Sequence, residues 1–297
     1  MKKIFKITGA VILVIIGAAA IFILTFQPKK YSDFGVFANL RNHVLALLEE
    51  YKASERSITQ DFSEFTLDLS FPYNKVFGSD VIAVPLKSFQ NDKMAVATIS
   101  QFEVPPKSSY YRDFTLNIRP RYGLKAPVLH TDFMKPAPGT SGLCIVDLFN
   151  VDKENISLEK FFGSELEKVQ KALSIVEKYQ RTEEEGRGKI TRYLIPYKSK
   201  YRIELKEPET EDETVRREYC QSVESALKLV LTAYFKSLHE LQPDPGFAKR
   251  HEEKTKEMVQ LSYQNDIAVA LGKRIFKEHF KKYWLDGFWN VQVELED

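Results

Sequence analysis

The chain is poor in the residues and motifs that announce common cofactor chemistries. Its 297 residues contain two cysteines, Cys144 and Cys220. That is too few for a disulfide framework, a four-cysteine iron–sulfur site or a four-cysteine zinc site. No glycine-rich dinucleotide or phosphate loop, no HExxH pair and no GxSxG elbow occurs. The five histidines (His43, His130, His239, His251, His279) show no ligand spacing. Each reads as a structural or surface group, and His251-Glu252-Glu253 reads as a solvated helical stretch. Internal repeats and low-complexity tracts are missing too. An excess of charge of one sign is lacking: 43 basic residues face 41 acidic ones. Five lysines and no acid lie in residues 1–30, leaving 38 basic against 41 acidic residues, a net of −3. Such a balance excludes a general nucleic-acid binder.

What is present is apolar surface and one long uncharged run. Hydrophobic residues make up 43% of the chain and aromatics 12%, enough to fill a large core. Ile7 to Phe26 is twenty residues without a charge. At helical rise it spans roughly 30 Å, the thickness of a hydrocarbon core. The apolar run continues past Ala18-Ala19-Ala20, so its length favours an uncleaved transmembrane anchor over a cleaved signal peptide. Lysines flank both ends, and orientation stays open. The expected organisation is a membrane anchor over residues 1–30 and one domain over residues 31–297.

Within residues 31–297 the hydrophobic period changes twice. Residues 34–52 place Phe37, Leu40, Val44, Leu47 and Leu48 at helical spacing. Phe65–Phe71 alternates as a half-buried strand does. Strand-like runs follow at Lys93–Val104, Tyr110–Ile118, Pro127–Met134 and Gly142–Leu148, with connections mostly too short for crossover helices. A turn is expected at Pro136–Gly142 and a loop at Glu183–Gly188. Leu158–Tyr179, Glu211–Glu240 and Arg250–Tyr283 read as long helices, with a strand pair at Tyr193–Leu205. The pattern is α+β: a mostly antiparallel sheet sandwiched by helices in an α/β/α arrangement.

Two acids stand out. On a strand, Asp132 shares a face with His130 and Val128. Asp266 lies one turn from Tyr263 and Ala270 in an apolar helical stretch. Taken singly, each fits a salt-bridged surface carboxylate as well as a functional group. Four basic residues, Lys273, Arg274, Lys277 and Lys281, fall on one face of a continuous helix at a period of about 3.6 residues. They read either as a solvated face or as a docking stripe.

Tyr122-Gly123-Leu124, then Pro127, Asp132 and a glycine-containing turn, then Ile145-Val146-Asp147-Leu148, form one ordered set. Asn265-Asp266, Phe276, Tyr283-Trp284-Leu285 and Phe288 form a second. In order and spacing the two sets resemble the ferredoxin-dependent bilin reductases and, more distantly, the red chlorophyll catabolite reductases. The resemblance runs from about Phe65 to Val291. The phycocyanobilin-forming branch also uses a Glu and a His on two preceding strands. Ala97 and Phe114 or Thr115 stand nearest those positions here, which sets that branch aside. The lysine that follows the family's Asn-Asp is Ile267.

The resemblance implies a linear tetrapyrrole, such as biliverdin, held between the sheet and the C-terminal helices. It implies no bound metal or flavin; reduced ferredoxin delivers electrons singly and side-chain acids deliver protons to radical intermediates. Asp132 and Asp266 would be the proton donors, Asn265 would orient the substrate, and His130 would hydrogen-bond a pyrrole carbonyl or serve the fold. The stripe of Lys273, Arg274, Lys277 and Lys281 would dock acidic ferredoxin or an anionic membrane. Dependence on ferredoxin would place the domain of this single-pass membrane protein in the cytoplasm. Two rivals stay open: a membrane-anchored carrier, sensor or assembly factor that binds a tetrapyrrole without catalysis, and a membrane-tethered interaction module.

Overall fold

A computed structural model of the chain describes residues 34–58, 62, 66–68, 74, 80–103, 112–135, 143–181 and 194–293. The candidate anchor Ile7–Phe26, the Pro136–Gly142 turn and the Glu183–Gly188 loop lie outside them. Among the described residues no helix is long and apolar enough to cross a membrane.

The first helix, α1 (Val36–Glu50), buries Val36, Phe37, Leu40, Val44, Leu47 and Leu48, the stripe its spacing predicts. Nine strands follow among the described residues: β1 (Ser54–Glu55), β2 (Thr66–Asp68), β3 (Val81–Ala83), β4 (Leu86–Gln90), β5 (Met94–Glu103), β6 (Arg112–Pro120), β7 (Val128–Lys135), β8 (Leu143–Phe149) and β9 (Ile203–Lys206). The main path is β1-β4-β5-β6-β7-β8-β9, with β2 on β3 and β3 on β5, and every pairing is antiparallel. The meander expected from short connections is therefore present as β5–β8. The strands β1, β3 and β4 carry no clear pattern of their own in the sequence and form because neighbours offer them an edge.

Two helical expectations and one strand expectation are corrected. Leu158–Tyr179 is not one helix. It is α2 (Leu158–Phe162), a tight turn at Gly163–Glu165, α3 (Leu166–Val176) and a second turn at Glu177–Tyr179. Gly163 has φ +49°, which α-helical backbone does not use. The strand pair at Tyr193–Leu205 reduces to β9, preceded by turns at residues 194–201 that bury Leu194, Tyr197 and Tyr201. Pro196 has no N–H to offer a ladder there. Beyond α4 (Glu213–Glu240), the stretch Arg250–Tyr283 divides into α5 (Pro245–Asn265), α6 (Ile267–Phe276), a turn at Lys277–His279 and α7 (Phe280–Lys282). A π-helical segment, Tyr283–Trp289, ends the fold. Asp266 is extended (ψ 130°) and Lys277 has φ +49°, so the helix stops twice.

The two sheet faces are different. Ala97, Ile99, Phe114, Leu116, Ile118, Leu129, Phe133, Cys144, Val146 and Leu148 form an apolar face in the main core with α1, α3 and α4. Phe37 of α1 stacks on Phe133 at 4.9 Å. The opposite face carries polar rows. Cross-strand register aligns Ser100, Thr115 and Asp132 in one row, and Ser88, Thr98, Asn117, His130 and Asp147 in the next. The π-helical segment packs on β4, β5 and β6 and covers this face. A second core of Phe62, Val84, Leu86, Tyr263, Val269, Phe276, Phe280 and Tyr283 joins α5, α6 and α7 to the sheet.

Candidate functional site

The covered polar face is built by alternation. In β6, Phe114, Leu116 and Ile118 point to the apolar core, so Asp113, Thr115, Asn117 and Arg119 must point the other way. All four are buried. Part of this row is structural. A helix leaves its last carbonyls without intrahelical partners, and side chains from the sheet supply them. Thr98 Oγ1 donates to Gly287 O at 2.8 Å, and Asn117 Nδ2 donates to Phe288 O at 3.1 Å. Arg119 Nε donates to Trp289 O at 2.9 Å and Nη2 to Asn290 O at 2.7 Å. Asn290, with φ +49°, turns the chain out of the helix.

The remainder of the face is titratable. Asp132 is half-buried on β7, with Thr115 Oγ1 3.5 Å from its Oδ1. The same hydroxyl lies 3.3 and 3.4 Å from the two carboxyl oxygens of Asp113, which is buried. Burial, then the charge of Asp132 and a side-chain hydrogen bond with it, push the Asp113 carboxyl well above its usual range. Asp113 was not singled out in the sequence. The available signal was an acid in register with Thr115 and Asn117 on a strand whose other face is wholly apolar. Tyr283 reaches the same region, its hydroxyl 2.5 Å from Ser100 Oγ.

His130 sits in the adjacent row, its ring 5.8 Å from Phe149 and 6.1 Å from Phe288. Its Nδ1 is buried without a hydrogen-bond partner. Burial lowers its pKa, while Asp132 and Asp266 both act to raise it. Asp266 does so from the break between α5 and α6, not from within a helix; its carbonyl accepts the first hydrogen bond of α6, from Ala270 N at 3.0 Å. Beside His130 in register, Asp147 is fully buried and pairs with Arg202 at 3.1 Å. Burial outweighs the guanidinium and raises its pKa to about 6.

The other predicted residues are placed differently. Asn265 is exposed, and its Nδ2 donates to Leu261 O at 2.9 Å. The basic stripe does not exist as one helix face, because α6 ends at Phe276 and Lys277 reverses the backbone. Lys273 Nζ lies 3.8 Å from the centre of the Tyr263 ring, while Arg274, Lys277 and Lys281 are exposed. His251 is buried rather than solvated, against Phe247 and Tyr122 at 5.1 and 5.9 Å. The charged residues around it in sequence belong to the other face of α5. Both cysteines are buried and free. Among the described residues no cluster of three or more His, Cys, Asp or Glu is placed to hold a metal ion. An open groove at Lys178–Arg181 and Lys206–Glu209 lies beyond the β9 edge and contains none of the predicted residues.

No protein-family model and no curated protein sequence matches the chain. Among solved structures, the fold is similar to that in the crystal structure of selenomethionine phytochromobilin synthase from tomato in complex with biliverdin. The TM-score is 0.61 and the identity 13%, over 86% of this chain and 85% of that one. The chain shares the α+β fold of that protein over most of its length.

Proposed function

We propose that the protein binds a linear tetrapyrrole between the polar sheet face and the C-terminal helical segments, and reduces it with electrons from ferredoxin. The observation that carries this reading is the polar sheet face itself, with Asp132 and His130 on one face of β7 and the C-terminal segment packed over the neighbouring strands. The fold likeness to a biliverdin-bound phytochromobilin synthase supports it. An acid can protonate a reduced ligand at neutral pH only if its own pKa is raised. Burial beside an apolar conjugated molecule does that to a carboxyl. Asp132 would give its proton from the sheet side and Asp266 from the helix side, one proton following each electron. His130, half-buried and left with an unpartnered Nδ1, has a polar atom to offer a pyrrole carbonyl or propionate. The charge-free segment Ile7–Phe26 supports membrane attachment of this domain.

A second reading, tetrapyrrole binding without catalysis, is favoured by two particulars. Ile267 stands where the resembled family has a lysine, and the Asn265 amide is engaged by its own helix. An anaerobic assay with biliverdin, ferredoxin and a reducing system separates the two. Catalysis predicts loss of the biliverdin absorption and a reduced product on chromatography. A spectral shift on binding with no product selects the second reading, and no shift at all rejects both.

A further inference from the structure

Asp113 and Asp132 flank one threonine hydroxyl, and two ionised carboxylates placed so repel each other. Thr115 pairs with Asp132 across β6 and β7, and Asp113 lies two residues along β6 on the same face. The Thr115 hydroxyl stands 3.3 Å from Asp113 Oδ1 and 3.5 Å from Asp132 Oδ1. That hydroxyl has one hydrogen and can donate to only one carboxyl at a time, so a proton held on one of the two acids relieves the repulsion between them. The groups acting on Asp113 from around it are Asp132 and Thr115 on the sheet and Tyr283 from the covering segment; none of these is a cation. Asp132 in turn faces His130, on which Asp266 also acts from the helix side.

We propose that Asp113 and Asp132 form a one-proton carboxyl pair in which Asp113 is a positioning residue that loads Asp132 with the proton it passes on. The inference rests on the reading above for the identity of the proton acceptor, but the pair itself does not. At rest the proton is on the buried Asp113. When an external one-electron protein donor reduces the ligand, the O–H bond of Asp113 breaks and one forms on Asp132. That proton then leaves Asp132 for the ligand radical anion, giving a neutral radical and two adjacent carboxylates. Like charges on either side of one hydroxyl disfavour this state, so the pair takes a proton from solvent before the second electron arrives. Each two-electron reduction thus draws one electron and one proton per half-step.

The test begins on the ligand-free protein, by infrared titration of the protonated carboxyl band. Wild-type protein should show a protonated carboxyl at pH 7 that Asp113→Asn removes. Asp132→Asn should lower the midpoint of that band by about one pH unit or more, having lost the neighbouring charge. A band that survives Asp113→Asn, or a midpoint unmoved by Asp132→Asn, overturns the pair, whatever biliverdin does. Thr115→Val supplies a second variant should Asp113→Asn fail to fold. It removes a hydroxyl that steadies the ionised form, so the midpoint should rise; a fall or no change counts against the pair. With biliverdin and reduced ferredoxin, Asp113→Asn should move the alkaline limb of the rate profile about one unit or more to lower pH, with biliverdin affinity unchanged. Asp113→Glu should restore part of the shift. An unmoved limb in an active Asp113→Asn variant overturns the loading role. If the titration behaves as expected but biliverdin is never reduced, the functional reading has failed and the pair stands.

Discussion

Arg119, buried under the C-terminal segment, donates through Nη2 to the backbone carbonyl of Asn290 at 2.7 Å. With its Nε on Trp289 O, it fastens the end of the chain to the centre of the sheet. Replacement by methionine leaves those carbonyls buried without donors, each costing about 1–3 kcal/mol. Arg119→Met should therefore destabilise the protein by about 3 kcal/mol, read as a lower denaturation midpoint with an unchanged slope. A change below 1 kcal/mol would show that the segment is held by packing alone.

The two candidate proton donors can be tested in turnover. Asp132→Asn and Asp266→Asn keep the size of each side chain while removing a transferable proton. Each should retain biliverdin binding and lose about 10²-fold or more in rate, with a bilin radical accumulating in spin-resonance spectra. Near-normal rates in both variants would remove these residues from the chemistry.

Gly272 of α6 has the tightest surroundings of the described glycines. A Cβ there would lie 2.8 and 2.9 Å from the Cδ2 and Cζ atoms of Phe280, and closer still to Cε2. Phe280 is itself buried in the second core. Gly272→Ala should cost about 1–3 kcal/mol through displacement of that ring. Gly163→Ala meets nothing within 4 Å and bears only the cost of its positive φ, about 1 kcal/mol. Denaturant unfolding of the pair should rank Gly272→Ala as the more damaging.

Asp147 and His251 pull stability in opposite directions as pH changes. The folded pKa of Asp147 is raised by burial to about 6 from 3.8. Its contribution is therefore fully present below pH 4 and is lost as pH rises through 6. That of His251 is lowered by burial to about 4 from 6.5. Its contribution is present above pH 6.5 and is lost as pH falls through 4. Between pH 6 and 4.5 the two largely offset each other. Asp147→Asn should therefore make the protein lose stability on acidification faster than wild type. His251→Phe should make it lose stability more slowly, or gain it. Each difference is of order 2 kcal/mol across that window. Parallel stability–pH curves for wild type and either variant would refute the corresponding burial.

The legibility of the chain varies by element. The spacing in 34–52 located α1, and alternation located β5 to β8 to within a few residues, because both patterns are local and long enough to repeat. The positions of Asp132 and His130 on one strand face followed from the same alternation. The breaks at Gly163, Asp266 and Lys277 were missed because the apolar pattern continues across them; only the direction the chain takes next, to pack Phe276, Phe280 and Tyr283, requires a stop. The basic stripe failed with that helix.

Asp113 shows where sequence ends and tertiary structure begins. Asp113-Phe114-Thr115-Leu116-Asn117-Ile118-Arg119 states by itself that two faces differ and which residues share each. Alternation of this kind ordinarily leaves the polar face in water. Here the C-terminal segment, supplied from more than a hundred residues downstream, covers it and makes Asp113, Thr115, Asn117 and Arg119 interior groups. Side-chain direction is fixed by the pleat of one strand, so the sequence determined it. Burial, and with it the raised pKa of Asp113, depends on which distant element lies on top, and that was decided by packing.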